Sequence, residues 1–268
     1  MNQQIGIIGC GWLGFALAKV FIENGYTVHG STTSESKMSI LQKAGIHPYN
    51  IQLTSDGITG PIQSLLSHCE TLIVNIPPGL RKDPHHDYIK QMTHFLEAIE
   101  RAPTKHVLFI GSTSVYEDAT HFPIITETSE TSDSKTALKL LAVERLFMRS
   151  EYFQTTILRF GGLFGEQRHP ATYLSGKRQI NNPEAPVNLI HRSDCIAIIL
   201  KLIHRHLWGN IFNASNTSSL TKSEYYTSIC QHMGIPIPQF DHQSKSKGKR
   251  INSEKLVRLL NYEFKIKP

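Results

Sequence analysis

The chain has 268 residues, of which 40% are hydrophobic and 19% charged, with a formal net charge of +6. These values describe an ordinary globular protein and exclude a disordered or fibrous one. No apolar run approaches the roughly 20 residues that a membrane-spanning helix needs. Gly6, Gly9, Gly11 and Gly14 also break up any signal-peptide core at the N-terminus, so a soluble, cytoplasmic protein with no membrane partner is expected.

The predicted elements alternate from the start. Ile5–Ile8 reads as a buried strand and Leu13–Asn24 as a helix closed by Gly25. Thr27–His29 is a second strand, Ser36–Lys43 a helix ended by Gly45, and Tyr49–Leu53 a third strand. Thr71–Asn75 is a fourth, stopped by Pro77-Pro78-Gly79. Tyr88–Glu100 is a helix, with Ile89, Met92, Phe95, Leu96 and Ile99 at helical spacing. His106–Ile110, the helix Ala137–Met148 and the strand Thr156–Phe160 follow. Repeated strand–helix–strand units predict a doubly wound parallel sheet, a Rossmann fold, with a small C-terminal substrate lobe. The expected division gives 1–165 to the sheet domain, with 187–215 returning to it, and 166–186 and 216–268 to the lobe.

Composition offers few other sites. Cys10, Cys69, Cys195 and Cys230 are widely spaced and form no CxxC pair, so reduced thiols are expected, with neither disulfides nor a metal. The basic stretch Lys245–Arg250 lacks interleaved aromatics. It is expected to be a solvated loop or to touch a phosphorylated substrate, and nucleic acid is not an expected partner.

The most specific signal is Gly9-Cys-Gly11-Trp12-Leu13-Gly14, a GxGxxG between a strand and a helix. Such glycines allow a tight turn, close approach of backbone to a pyrophosphate, and packing of helix on strand. The helix N-terminus adds free N–H groups and partial positive charge. A nicotinamide dinucleotide is therefore the expected cofactor. Selection between NAD and NADP occurs after the second strand, where NAD sites usually carry Asp or Glu. Here Ser31, Thr32 and Thr33 stand there instead, with Lys37 one turn on. These residues favour NADP, with NAD as the alternative, unless they merely start and cap the next helix.

Later segments resemble the short-chain dehydrogenase/reductase superfamily, specifically its extended NAD-dependent epimerase/dehydratase branch. The matching segments are Phe109-Ile-Gly-Ser112-Thr-Ser114-Val-Tyr116, Leu158–Gly165, Val187–Asp194, Ile211–Ser215 and Arg250–Tyr262. The resemblance implies that Ser112 holds a substrate oxygen over the nicotinamide, with Thr113 and Ser114 as neighbouring candidates. It also places Asn75, Pro77 and Gly111 near the cofactor, and Arg168 and Arg192 on the substrate side, where arginine suits carboxylate or phosphate. Two departures stand out. The glycine spacing differs from the family's usual GxxGxxG, and the family's Tyr-x-x-x-Lys is replaced by Thr136 and Leu140, with Lys139 one residue away. Threonine does not act as an acid near neutral pH, so Tyr116 or water is the expected proton source.

The leading expectation is an NAD(P)-dependent oxidoreductase or epimerase-like enzyme for a small polar carbonyl or hydroxyl compound. A non-catalytic dinucleotide-binding sensor is the alternative. The first 43 residues also resemble β-hydroxyacid and pyrroline-carboxylate reductases, whose second half is all-helical.

Overall fold

The computed structural model describes residues 3–80 and 83–268. The chain runs β1 (Gln4–Ile8), α1 (Trp12–Glu23), β2 (Thr27–Thr32), α2 (Met38–Lys43), β3 (His47–Asn50), β4 (Gln52–Thr54), β5 (Gly57–Thr59), α3 (Ile62–Leu66) and β6 (Thr71–Val74). There follow α4 (Tyr88–Glu100), β7 (His106–Ser112), β8 (Ile124–Ile125), α5 (Lys135–Met148), β9 (Gln154–Phe160), β10 (Gly162–Phe164) and α6 (Pro170–Leu174). Last come β11 (Pro186–His191), α7 (Arg192–His204), β12 (Ile211–Ala214), β13 (Asn216–Thr221), α8 (Lys222–His232), β14 (Arg250–Ile251) and α9 (Glu254–Leu260).

Seven strands form the central sheet in the order β12-β9-β7-β6-β1-β2-β3. Pairing is parallel from β3 through to β7. The order reverses between β1 and β6, the doubly wound arrangement expected from the sequence. The crevice outside the strand ends at such a reversal is where open α/β sheets bind ligands.

Compactness divides the chain into two units. The first unit holds residues 1–111, 134–158 and 202–211; the second holds 112–133, 159–201 and 212–268. In the first unit, strand alternation sends Ile8, Leu72, Val74, Val107, Phe109 and Ile157 to one face. There they pack with Leu65 and Leu66 of α3, Met92 and Phe95 of α4, and Phe147 of α5. Leu17, Ala18 and Phe21 bury the inner stripe of α1. Instead of one strand at Tyr49–Leu53, β3 ends at Asn50 and the antiparallel pair β4–β5 follows. The Thr54 hydroxyl donates to the Gly57 carbonyl and accepts from the Asp56 N–H, closing a tight turn.

The second unit has its own core, Phe164, Ala171, Val187, Leu189, Tyr225, Tyr226 and Cys230. It contains the three-stranded sheet β10-β11-β13 and the pair β14–β8. An all-helical second half is therefore not found. Asp194, fully buried at the start of α7, accepts from the Tyr262 hydroxyl at 2.5 Å and from the N–H groups of Lys265 and Ile266, which fastens the C-terminal segment. The basic stretch is woven in as well: Gly248 exchanges two backbone hydrogen bonds with Ala119, and the Ser246 hydroxyl accepts from Glu184 N–H.

Candidate functional site

The glycine turn lies in the first unit, at the reversal of strand order. Gly9 leaves β1 with φ +104°, a conformation L side chains rarely adopt. Its N–H donates to the Ser31 hydroxyl at 2.9 Å, and the Cys10 N–H donates to the Ser31 carbonyl at 2.8 Å. From β6, Asn75 donates its backbone N–H to the Ile8 carbonyl and its amide Nδ2 to the Gly9 carbonyl at 3.1 Å. The chain itself requires two of the three glycines. A Cβ on Gly9 would stand 2.4 Å from the Asn75 carbonyl oxygen, and one on Gly14 would stand 2.2 Å from the Gly9 carbonyl oxygen.

Gly11 differs. It is the N-cap of α1, exposed, and a Cβ there would meet nothing within 4 Å. The protein's own packing thus leaves open space at this helix start, where anions are favoured. Trp12 is partly exposed, while Leu13 and Gly14 are buried. Asn75 is half-buried and Pro77 exposed beyond it. Cys10 is a buried thiol whose burial pushes its pKa up to about 12, so it stays protonated and inert.

After β2, the sequence-predicted residues separate into two groups. Ser31 and Thr32 are buried and already bonded, Ser31 as described and Thr32 by accepting from Ser34 N–H at 3.2 Å. Thr33 and Lys37 are exposed. So is Glu35, a carboxylate in the short turn Glu35–Lys37.

The serine turn belongs to the second unit, beginning at Ser112 where β7 ends. Thr113–Val115 form one 3-10 turn, which brings alternate side chains together. The Ser112 hydroxyl accepts from Ser114 N–H at 3.2 Å and donates to the Ser114 hydroxyl at 2.9 Å. Thr113 points inward and donates to the Phe160 carbonyl. Of the three neighbouring hydroxyl residues, Ser112 and Ser114 are therefore accessible and Thr113 is not. Gly111 is half-buried just before them.

Tyr116 closes the turn and is 2% exposed. Its hydroxyl accepts from Arg159 Nη1 at 2.6 Å and donates to Asn213 Oδ1 at 3.0 Å. The Arg159 guanidinium also lies 5.1 Å from the ring centroid. Burial raises the phenol's pKa, against the opposing pull of Arg159. Lys249 donates to the Tyr116 carbonyl at 2.6 Å and pairs with Asp118 at 3.0 Å. Glu127 accepts the Asn213 N–H at 2.8 Å. Arg159, Asn213, Glu127 and Lys249 were not singled out by sequence; Lys249 sat in a run read as solvated, and nothing in residue spacing connects the others.

Arg192 is ion-paired with Glu166, and Arg168 is exposed in the turn after β10, its backbone exchanging two hydrogen bonds with Gly165. Next to Arg168, His169 caps α6 through Nδ1 and meets the Tyr225 hydroxyl through Nε2 at 3.1 Å, which makes it structural. On α5, Thr136 is exposed, and Lys139 donates to the carbonyls of Pro84 and His86 at 2.9 and 3.1 Å. The lysine nearest the family's usual position is thus occupied in tying down a loop.

Comparison with known proteins agrees with this geometry. A family model described as "NAD dependent epimerase/dehydratase family" matches residues 5–182. Protein YeeZ of Escherichia coli K12 is 25% identical over 266 residues, 98% of this chain and 96% of that one. Among solved structures, UDP-glucuronic acid 4-epimerase from Bacillus cereus in complex with NAD superposes with a TM-score of 0.77 at 15% identity, over 98% of this chain and 94% of that one. A short-chain dehydrogenase/reductase superfamily protein from Agrobacterium tumefaciens with bound NAD gives 0.76 at 17% identity, over 98% and 93%.

Proposed function

The chain belongs to the NAD dependent epimerase/dehydratase family, and from that premise we propose that it is an NAD(P)-dependent oxidoreductase or epimerase-like enzyme. Its substrate is a small polar compound with a carbonyl or hydroxyl group. The observation that carries the reading is Gly11: two glycines of the turn are required by neighbouring backbone, and the third faces open space at a helix start. That fits a group that must approach the backbone closely, as a pyrophosphate does. The turn Gly9–Gly14, with Trp12 and Leu13 inside it, would hold that group, and Asn75, Pro77 and Gly111 would border the cofactor. When bound, the dinucleotide supplies the site that accepts or donates hydride.

The cofactor is proposed to be NADP, through Thr33 and Lys37, with Ser31 and Thr32 shaping the turn. Glu35 opposes a 2′-phosphate from the same turn, so the preference is small. On the substrate side, the Ser112 hydroxyl donates a hydrogen bond to the Ser114 hydroxyl, which leaves the Ser114 hydrogen to meet a substrate oxygen. Tyr116 positions this pair rather than supplying the proton, because its hydroxyl is buried and committed to Asn213 and Arg159. Water is assigned the proton. Arg168 and Arg192 are the proposed contacts to an acidic substrate group, and the cytoplasm is the proposed location.

The test is a screen of carbonyl compounds with NADPH. Ser112→Ala should lower kcat by about 10²-fold, with little change in dinucleotide affinity, because it removes the hydroxyl that orients Ser114, whose hydrogen is aimed at charge developing in the transition state. Dinucleotide binding without turnover of any carbonyl or hydroxyl compound would favour the non-catalytic sensor.

A further inference from the structure

A column of imidazoles in the first unit has no part in the proposed chemistry. His29, in the first half of β2, is 5% exposed. The His47 ring lies 5.0 Å from it at 20°, and the His68 ring 4.7 Å from it at 11°. His29 and His47 are register partners on neighbouring parallel strands, while His68 follows α3. Both flanking rings are exposed.

The central ring is held at both nitrogens. His29 Nε2 meets the Gln4 amide oxygen at 2.9 Å, and that oxygen only accepts, so Nε2 carries the hydrogen. Nδ1 lies 3.2 Å from the Tyr49 hydroxyl, which donates to a neutral ring and accepts from a charged one. A second proton on His29 would be charge without water around it and without a counter-ion. The titratable groups facing it are His68, His47 and Tyr49, and Gln4 is uncharged. The rings stack face to face, so their nitrogens do not converge, and no group of three metal-binding side chains exists among the described residues.

The column bridges to a strand at one edge of the sheet. β3 is an edge strand and pairs in the sheet with β2 alone. We propose that the His29–His47–His68 column is an acid-released latch: neutral rings hold β3 on β2, and protonation drives the edge strand off. This is independent of the enzymatic reading above.

Burial, then His68 and His47, lower the His29 pKa from 6.5 to about 4. Between those values the folded edge binds fewer protons than the released one. Retention of β3 is therefore complete above pH 6.5 and is lost progressively as pH falls toward 4.

Native-state hydrogen exchange tests this on the whole chain. Protection of the amides of His47, Tyr49 and Asn50, corrected for intrinsic rates, should fall about tenfold per pH unit between pH 6.5 and 5, the response to one proton. Amides of 5–8 in the sheet centre should change less. Substituting both exposed rings, His47→Ala with His68→Ala, should keep the fold and flatten that slope, and His29→Gln should abolish it. NMR titration of the His29 ring should show it neutral at pH 5.5. A pH-independent edge, an unchanged slope in the double variant, or a His29 that titrates near 6.5 would overturn the latch.

Discussion

The two turns that follow strands of the central sheet are built by opposite means. The glycine turn after β1 works by absence: Gly9 and Gly14 are bare because the Asn75 and Gly9 carbonyls occupy the space a Cβ would take, and Gly11 is bare facing nothing. The serine turn after β7 works by engagement, with the buried Asn213 Nδ2 left without a partner. Thr113, Tyr116, Arg159, Asn213 and Lys249 are all engaged with one another or with backbone. What is left over in each turn is the functional candidate: open space at Gly11, and the accessible pair Ser112 and Ser114. A residue that the fold itself does not need is the one to test for a ligand.

The contrast can be broken at its strongest point by adding one methyl group. Gly14→Ala forces a Cβ to within 2.2 Å of a backbone oxygen. It should cost about 4 kcal/mol or more, the range of severe overpacking and strain, measured by urea unfolding. Gly11→Ala should leave the midpoint within about 0.5 kcal/mol of wild type, as for a surface change. Equal losses in both would remove the distinction between structural and spare glycines.

The serine turn gives an intermediate effect. Tyr116→Phe removes the one oxygen that accepts from Arg159 Nη1 and donates to Asn213 Oδ1 in the interior. About 1–3 kcal/mol of stability should be lost by thermal or urea unfolding. Ser114→Ala, at the accessible surface, should cost less than about 0.5 kcal/mol. If the tyrosine variant is as stable as wild type, the turn is not fastened through that hydroxyl.

The smallest effect belongs to the exposed turn after β2. Lys37→Ala should weaken NADP⁺ by about three- to fivefold at low salt and leave NAD⁺ unchanged, since exposed ion pairs contribute about 1 kcal/mol at most. Glu35→Gln should shift the ratio the other way. A wild type that clearly prefers NAD⁺, with no response to Lys37→Ala, would remove the proposed 2′-phosphate contact.

How much was legible depended on how local each signal was. The GxGxxG, the strand periodicity and the apolar stripe of α4 are encoded within a dozen residues, and those elements stand where they were expected. The Gln52–Thr59 hairpin was missed although Asp56-Gly57 is a turn signal, because β4 and β5 are only three residues each. The Tyr116 network was invisible because its partners, Arg159, Asn213 and Lys249, lie 43, 97 and 133 positions away. The same distance problem hid the column of His29, His47 and His68, which only the parallel register of β2 with β3 brings into line. The boundary near residue 165 followed a loosening of pattern, whereas compactness follows contacts that no local pattern records.

The central claim is that the open space at Gly11 is there for a dinucleotide. Calorimetric titration of wild type and Gly11→Asp with NADP⁺ and NAD⁺, alongside urea unfolding of both proteins, tests it most directly. The account predicts that wild type binds, with NADP⁺ at least as tight as NAD⁺. It predicts that the aspartate variant stays folded, because a Cβ there has no neighbour within 4 Å, yet binds neither, because its carboxylate enters the path of the pyrophosphate. Unchanged affinity in Gly11→Asp, or a folded wild type that binds neither dinucleotide, would contradict it.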